Sequence, residues 1–428
     1  MSHNQPVLIL TVLLMFLSFV MAQDSTPTVS LNELIEEAVA QNPRLQAFQS
    51  AWQADLAAVP QAGALPDPGL SLTSMNLPID NFVFDQEPMS GKQVGLKQMI
   101  PFPGKLWLKE DMAQKEAETA QAKYNEIKNE LIKKVKQAYY DLYYVDQAIA
   151  TTQKNYHLLT QFVDIAATKY SVGKGLQQDV LKSQVELSSF TDRLINLRQK
   201  RAALVARLNA LLNRPSAQKI GAISDVSFRP VRLKKDSLIA LLPSSRPLLK
   251  AWQAQLEKSR QKTALARRGY WPDFTLNVAY TQRDVLQNGA GGVDYFSAGI
   301  SLNVPLYFWR KQRKQVQQSR LLSQRVGLTY SDTQNQIEAQ LEAVFSDLQK
   351  NKELAELYKD GIVPQASQSL ESALIGYQTD KVDFLTLINN QMTLFKFELE
   401  YARIVSAYFK TFAELEFIVG TPLKTSIN

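Results

Sequence analysis

Two apolar periods alternate along this chain. One has a period of two. Phe274, Leu276, Val278 and Tyr280 alternate with Thr275, Asn277, Ala279 and Thr281. Phe296, Ala298, Ile300, Leu302 and Val304 alternate with Ser297, Gly299, Ser301 and Asn303. This predicts two strands, 274–282 and 295–304, each with one apolar and one small polar face, around a Gly-rich loop. A fainter pair is predicted at 68–75 and 93–100, where Leu70, Leu72, Val94, Leu96 and Ile100 face one way.

The other period is helical. From Lys105 to Tyr170 there is neither Pro nor Gly, and at 1.5 Å per residue such a helix spans roughly 100 Å. Its apolar seam reads Ala113, Ala117, Ala120, Tyr124, Ile127, Leu131, then Val135, Ala138, Leu142, Val145, Ile149, and later Tyr156, Leu159, Val163, Ala166, Tyr170. The steps of four and three, with one stutter, are those of a coiled coil. After a tight turn a second helix carries Val180, Leu187, Phe190, Leu194, Leu197, Leu204, Leu208 and Leu211, with Arg201 the exception on that seam. The second half repeats the hairpin with Ile337, Leu341, Leu348 and Ala355 ascending and Leu387, Leu394, Ile404, Tyr408 and Leu415 descending. Pro364 is expected to kink the ascending arm.

The halves align as copies. Tyr170, Lys174, Gln184, Phe190 and Pro215 match Tyr377, Lys381, Gln391, Phe397 and Pro422 at an offset of 207. Pro43, Gln49, Pro68, Leu72, Gly95 and Pro101 match Pro247, Gln253, Pro272, Leu276, Gly299 and Pro305 at 204. The second copy therefore gains three residues between 306 and 376. The predicted organisation is a first repeat over 23–215 (hairpin 105–213), a linker over 216–237, a second repeat over 238–422 (hairpin 309–420) and a tail over 423–428.

Residues Val7 to Ala22 form an apolar stretch ending Val20-Met21-Ala22, which fits a signal peptide over 1–22 cut after Ala22, although its n-region has no Lys or Arg. Later in the chain nothing offers eighteen apolar residues in a row, so a membrane would be crossed by strands. Four strands cannot close a barrel around a duct, and open edges in lipid are costly. The transmembrane reading thus requires several chains in one barrel.

The chain has no Cys, which excludes disulfides and thiol chemistry, and its net charge of +7 is spread among similar numbers of acids, giving no reason to expect nucleic acid. After residue 22 it has one His, His157, and five Met, none spaced as metal ligands. No phosphate loop, nucleophile elbow or zinc-protease motif occurs. Neither an enzyme nor a bound cofactor or metal is expected.

The opening Leu31-Asn-Glu-Leu-Ile-Glu-Glu-Ala-Val-Ala-Gln-Asn-Pro43, the turn Tyr170-Ser-Val-Gly-Lys174 and Ala210-Leu-Leu-Asn-Arg-Pro215 resemble the TolC family of outer-membrane efflux ducts. The Pro-Gly-Lys of Met99-Ile-Pro-Phe-Pro-Gly-Lys105 resembles its heavy-metal branch, those members similar to CusC and CzcC. The resemblance implies an α+β membrane protein: a homotrimer with a twelve-stranded β-barrel in the outer membrane and an α-barrel of hairpins in the periplasm. It implies a passive channel for metal ions, drugs or protein, with a periplasmic adaptor and an inner-membrane pump of the RND type as partners.

On that basis Tyr170, Gly173, Lys174, Tyr377 and Lys381 are expected at the tip that meets the adaptor. Phe274, Leu276, Val278, Tyr280, Phe296, Ile300 and Leu302 are expected to face lipid. Family members can carry an aspartate ring nine and twelve residues after the second turn tyrosine; here those positions are Thr386 and Asn389. Asp179, Asp380 and Asp383 are then the acids left to form an aperture, or simply helix-start residues. The competing readings are a soluble periplasmic coiled-coil adaptor or scaffold, and a secreted pore.

Overall fold

The computed structural model describes residues 29–223 and 226–423; the signal-peptide reading lies outside the described residues. In chain order the elements are α1 (Leu31–Gln41), α2 (Pro43–Gly63), β1 (Gly69–Met75), β2 (Gly91–Ile100), α3 (Lys105–Ser171), α4 (Gln177–Leu211), α5 (Lys235–Ser245), α6 (Pro247–Arg268), β3 (Phe274–Gln282) and β4 (Tyr295–Leu302). Then come α7 (Gln312–Leu357), a π-helical turn (Tyr358–Ile362), α8 (Val363–Gln378) and α9 (Phe384–Val419). The fold is α+β, as expected.

The chain divides into two compact units. One comprises the chain up to Ala40 with Lys134–Pro230 and Lys350–Lys410; the other comprises Gln41–Lys133, Val231–Gln349 and the chain from Thr411.

Among its described residues the first unit has helices, turns and an irregular segment after α4, with one isolated strand bridge, Val29 to Ile223. Its core holds Leu142, Leu159, Leu208, Leu387, Phe395 and Tyr408, each almost wholly excluded from solvent. The expected α3 seam is buried from Leu131 through Val145, while Ala113, Ala120, Tyr124 and Ile127 before it are only half-buried. Beyond it the buried line runs Ala148, Thr152, Asn155, Leu159, Phe162, Ala166 rather than through Ile149, Tyr156, Val163 and Tyr170. A 3.6-residue helix drifts against a 3.5-residue pattern, so the inward face passes to a neighbouring row. Two of its members, Thr152 and Asn155, are polar. Asn155 lies against the buried Gln391, whose Nε2 donates to Asn155 Oδ1.

The segment after α4 is packed rather than slack. Ile220, Ile223 and Phe228 are buried, and Phe228 meets Tyr408 edge-on at 5.2 Å. Arg201, the odd residue on the α4 seam, serves this segment. It grips Asp146 at 2.6 Å and donates to the carbonyls of Ile220 (3.4 Å) and Gly221 (3.1 Å).

The second unit contains the antiparallel sheet, ordered β1-β2-β3-β4, and a core that includes Leu45, Leu242, Leu249, Leu341 and Leu415. Here equivalent positions are solved differently. Asn42 caps α2, its Oδ1 accepting from the Leu45 N–H at 3.2 Å, worth about 1 kcal/mol. Arg246, at the matching place before α6, makes no such cap. Its guanidinium is buried, donating to Glu126 Oε1 at 2.6 Å and to the Phe417 carbonyl, and lying 4.1 Å from the Phe417 ring centre. Burial pushes the Glu126 carboxyl up, and Arg246 draws it back.

The ascending arms match in length. α3 has 67 residues, and α7, the π turn and α8 have 46, 5 and 16, the same total. The three residues gained by the second repeat therefore lie before α7, in the connector 303–311. Pro364, expected to kink the arm, follows directly on the π turn. Its missing N–H falls where the regular hydrogen-bond ladder is already shifted.

Candidate functional site: an apolar sheet face and a clasped pair of helical turns

Cross-strand register sorts the side chains of the sheet onto two faces. One face has the rows Leu70–Leu96–Val278–Ala298, Leu72–Val94–Tyr280–Phe296, Gln98–Leu276–Ile300 and Ile100–Phe274–Leu302. The other has Ser71–Gly95–Ala279–Ser297, Thr73–Gln93–Thr281–Tyr295, Lys97–Asn277–Gly299 and Met99–Thr275–Ser301. All seven residues expected to face lipid share the first face. Their surroundings in the chain do not cover them: Phe296 is 74 % exposed and Ile300 69 %, and Leu70 and Leu72 exceed 70 %. A sheet packed on a soluble core buries such a face; this one leaves it open. At the loop end the band stops at Lys92, which pairs with Asp284 at 3.1 Å. Both outer strands, β1 and β4, have a free edge within the chain.

The turns that join the arms of the helical hairpins belong to the first unit and are built alike. Gly173 (φ 74°) and Asp380 (φ 58°) occupy matching left-handed positions. Each is followed by a lysine whose N–H reaches back five residues, Lys174 to the Lys169 carbonyl at 2.9 Å and Lys381 to the Gly376 carbonyl at 2.8 Å. This is the 6→1 bond of a helix C-cap. Glycine takes the conformation freely; an aspartate tolerates it better than most residues.

The side chains then break the symmetry. Lys169, whose counterpart is Gly376, reaches to the second turn. Its Nζ donates to Asp380 Oδ1 at 2.5 Å and to the Tyr377 carbonyl at 2.7 Å, and it sits 4.2 Å from the Tyr377 ring centre. Lys169, helped by Lys174, holds the Asp380 carboxyl below the usual carboxylate range. Beneath this clasp Tyr377 packs on Phe384 at 5.4 Å, in a cluster with Phe162, Ala166, Phe190 and Leu387. An open cleft of about 660 Å³ between the turns is lined by Lys174, Asp179, Asp380, Lys381 and Asp383, among others.

The expected tip residues are thus not equivalent. Tyr170 is 48 % exposed and Tyr377 only 5 %. Tyr377 is part of the packing, its hydroxyl pushed up chiefly by burial, while Gly173, Lys174 and Lys381 are exposed. Among the acids, Asp383 caps α9: its Oδ1 accepts from the Thr386 N–H at 2.7 Å, and the Thr386 hydroxyl first, with that N–H, holds its carboxyl down. Asp179 lies in the first turn of α4, and Thr386 and Asn389 are exposed along α9. Lys169 was not singled out from the sequence. The available signal was the mismatch of a lysine with a glycine at otherwise matching turns.

Among the described residues no group of three or more His, Asp or Glu could hold a metal ion. No helix there is long and apolar enough to cross a membrane.

The family model for outer membrane efflux proteins matches residues 34–214 and 238–421. The chain belongs to that family, and it is a channel-type protein, not an enzyme. It is 20 % identical to the cobalt-zinc-cadmium resistance protein CzcC of Cupriavidus metallidurans, over 75 % of each chain. Its fold matches that of the outer membrane protein VceC of Vibrio cholerae with a TM-score of 0.75 and 19 % identity, over 91 % of this chain and 96 % of that one. It also matches CusC with a TM-score of 0.73 and 14 % identity, over 94 % and 96 %.

Proposed function

We propose that this chain is the outer-membrane duct of a tripartite export system. Three copies form it, each giving four strands to one twelve-stranded barrel. The observation that carries this reading is the four-stranded sheet with one exposed apolar face and two free edges. β1 and β4 run in opposite directions, so β4 of one copy and β1 of the next continue the antiparallel order. Head-to-tail pairing of this kind closes into a ring and removes both edges from lipid. The small polar face then lines the lumen.

The hairpin turns, with Tyr170, Gly173, Lys174 and Lys381 foremost, meet a periplasmic adaptor, and an inner-membrane pump of the RND type supplies the energy. The likeness to CzcC supports heavy-metal ions as cargo. The duct itself is passive. Lys169 and Asp380 hold the second hairpin against the first, and with Asp179 and Asp383 they set the resting aperture.

Membrane extraction, native mass and electron microscopy test the assembly: a detergent-dependent particle of three chains with a hollow axis is expected. A soluble monomer would sink the proposal. Conductance in planar bilayers tests the aperture. Asp380→Asn and Lys169→Met should each raise it several-fold, while Asp164→Asn on the exposed face of α3 should not.

A further inference from the structure

The three residues gained by the second repeat fall in the connector between β4 and α7. That connector reads Asn303-Val-Pro-Leu-Tyr-Phe-Trp-Arg-Lys311. The matching segment of the first repeat is the six residues Met99-Ile-Pro-Phe-Pro-Gly104. The longer connector is an ordered turn: the N–H groups of Arg310 and Lys311 donate to the Tyr307 carbonyl at 3.1 and 2.9 Å, and that of Arg313 donates to the Phe308 carbonyl at 2.9 Å. It nevertheless holds its aromatic rings outward. Tyr307 is 68 % exposed, Phe308 50 % and Trp309 52 %. The rings brace one another, Phe308 on Trp309 at 5.2 Å and Tyr270 beside Phe308 at 6.4 Å.

Directly after the rings come Arg310, Lys311, Arg313 and Lys314, all exposed. None has an ion-pair partner among the described residues; Lys314 bonds only the Gln317 side chain, at 3.1 Å. No acid occurs between Asp294 and Asp332, nor between Glu257 and Asp273 at the end of α6. Nearby Lys105 has the opposite situation, since Asp273 holds it at 2.8 Å.

Exposed Tyr and Trp side chains at the end of an apolar strand band mark the level where hydrocarbon gives way to headgroups. Unpaired cations just beyond them match anionic headgroups. We infer that the connector 303–311 and the first turn of α7 form a docking collar for anionic phospholipid. The collar lies on the leaflet that faces the helices. Aromatic rings sit at the acyl boundary, and Arg310, Lys311, Arg313 and Lys314 hold the phosphates. This rests on the membrane reading of the sheet and adds a lipid class to it.

The test uses the full assembly. It is stripped in neutral detergent, offered mixed micelles with equal phosphatidylglycerol and phosphatidylcholine, re-isolated, and its retained lipid quantified. Each surface cation contributes up to roughly fivefold. The wild type should retain phosphatidylglycerol about tenfold over phosphatidylcholine at low salt, and lose that preference in 1 M salt. Replacing the four cations together (Arg310→Gln, Lys311→Gln, Arg313→Gln, Lys314→Gln) should bring the ratio to within about twofold. Removing three cations from the first repeat instead (Lys109→Gln, Lys123→Gln, Lys128→Gln) should leave it high. An even ratio in the wild type, or a preference indifferent to salt, overturns the collar. Displacement by millimolar glycerol phosphate would make this a site for soluble anions and overturn it equally. An assembly that stays soluble without detergent would instead defeat the membrane reading itself.

Discussion

The two repeats share a backbone plan and differ in how they stabilise it. At the start of their second helices one uses Asn42 as a cap, the other a buried Arg246–Glu126 pair. At the left-handed turn position one has Gly173, the other Asp380, and only Asp380 can be held from across by Lys169. Charge separates them further. Residues 258–272 and 295–331 of the second repeat hold eleven Lys and Arg and no acid; the matching 54–68 and 91–124 of the first hold six Lys and six acids. The basic residues are therefore not an even film, as the whole-chain composition suggests: an acid-free run of cations occurs in one repeat and not in the other. Duplication supplied the scaffold twice, and each chemically distinct feature is present once.

The largest test of this contrast is at the paired helix starts. Arg246→Met leaves Glu126 buried without its partner, and should cost about 3–5 kcal/mol. Asn42→Ala, the matching change, should cost about 1 kcal/mol. Thermal unfolding in detergent compares the two, and equal losses would show that the two solutions are interchangeable. Next come Leu72→Arg and Leu276→Arg, matching positions on the apolar sheet face. If both repeats meet lipid at like depth, each should cost about 2–4 kcal/mol and reduce insertion alike. A silent Leu72→Arg would confine lipid contact to the second repeat.

The smallest expected effect is that of pH on the clasp. Asp380 has its carboxyl held down by Lys169, so the stabilisation is complete above the ordinary carboxylate value and is lost as pH falls through the lowered one. Conductance should stay flat from about pH 8 to pH 5 and rise only below about pH 4. Asp380→Asn should abolish the acid-induced rise, and a transition near neutrality would assign gating to another group.

Long-range periodicity made most of the fold legible. The strands fall within two residues of their expected bounds, and the apolar face was recognised because a period of two survives any register. The inner half of α3 was less legible, since adjacent rows of a long helix compete for the seam and Thr152 and Asn155 do not look like core residues. Tyr377 resembled its counterpart Tyr170 by motif, but its burial depends on Lys169 and Phe384, which the motif does not contain. The connector 303–311 was passed over because the two offsets bound the three-residue gain only to 306–376, and its place is fixed once both helix starts, Lys105 and Gln312, are known. The family comparison sets aside the soluble scaffold, a reading that the helices alone would have allowed.

The open sheet has a further consequence for a chain newly released from synthesis. With one apolar face uncovered and both strand edges bare, a solitary copy has no settled state of its own. In the proposed assembly its folding, its joining to other copies and its entry into the bilayer are therefore coupled. By mass action the midpoint of the coupled transition depends on protein concentration. Persistence is then a property of the population of chains, not of any one of them.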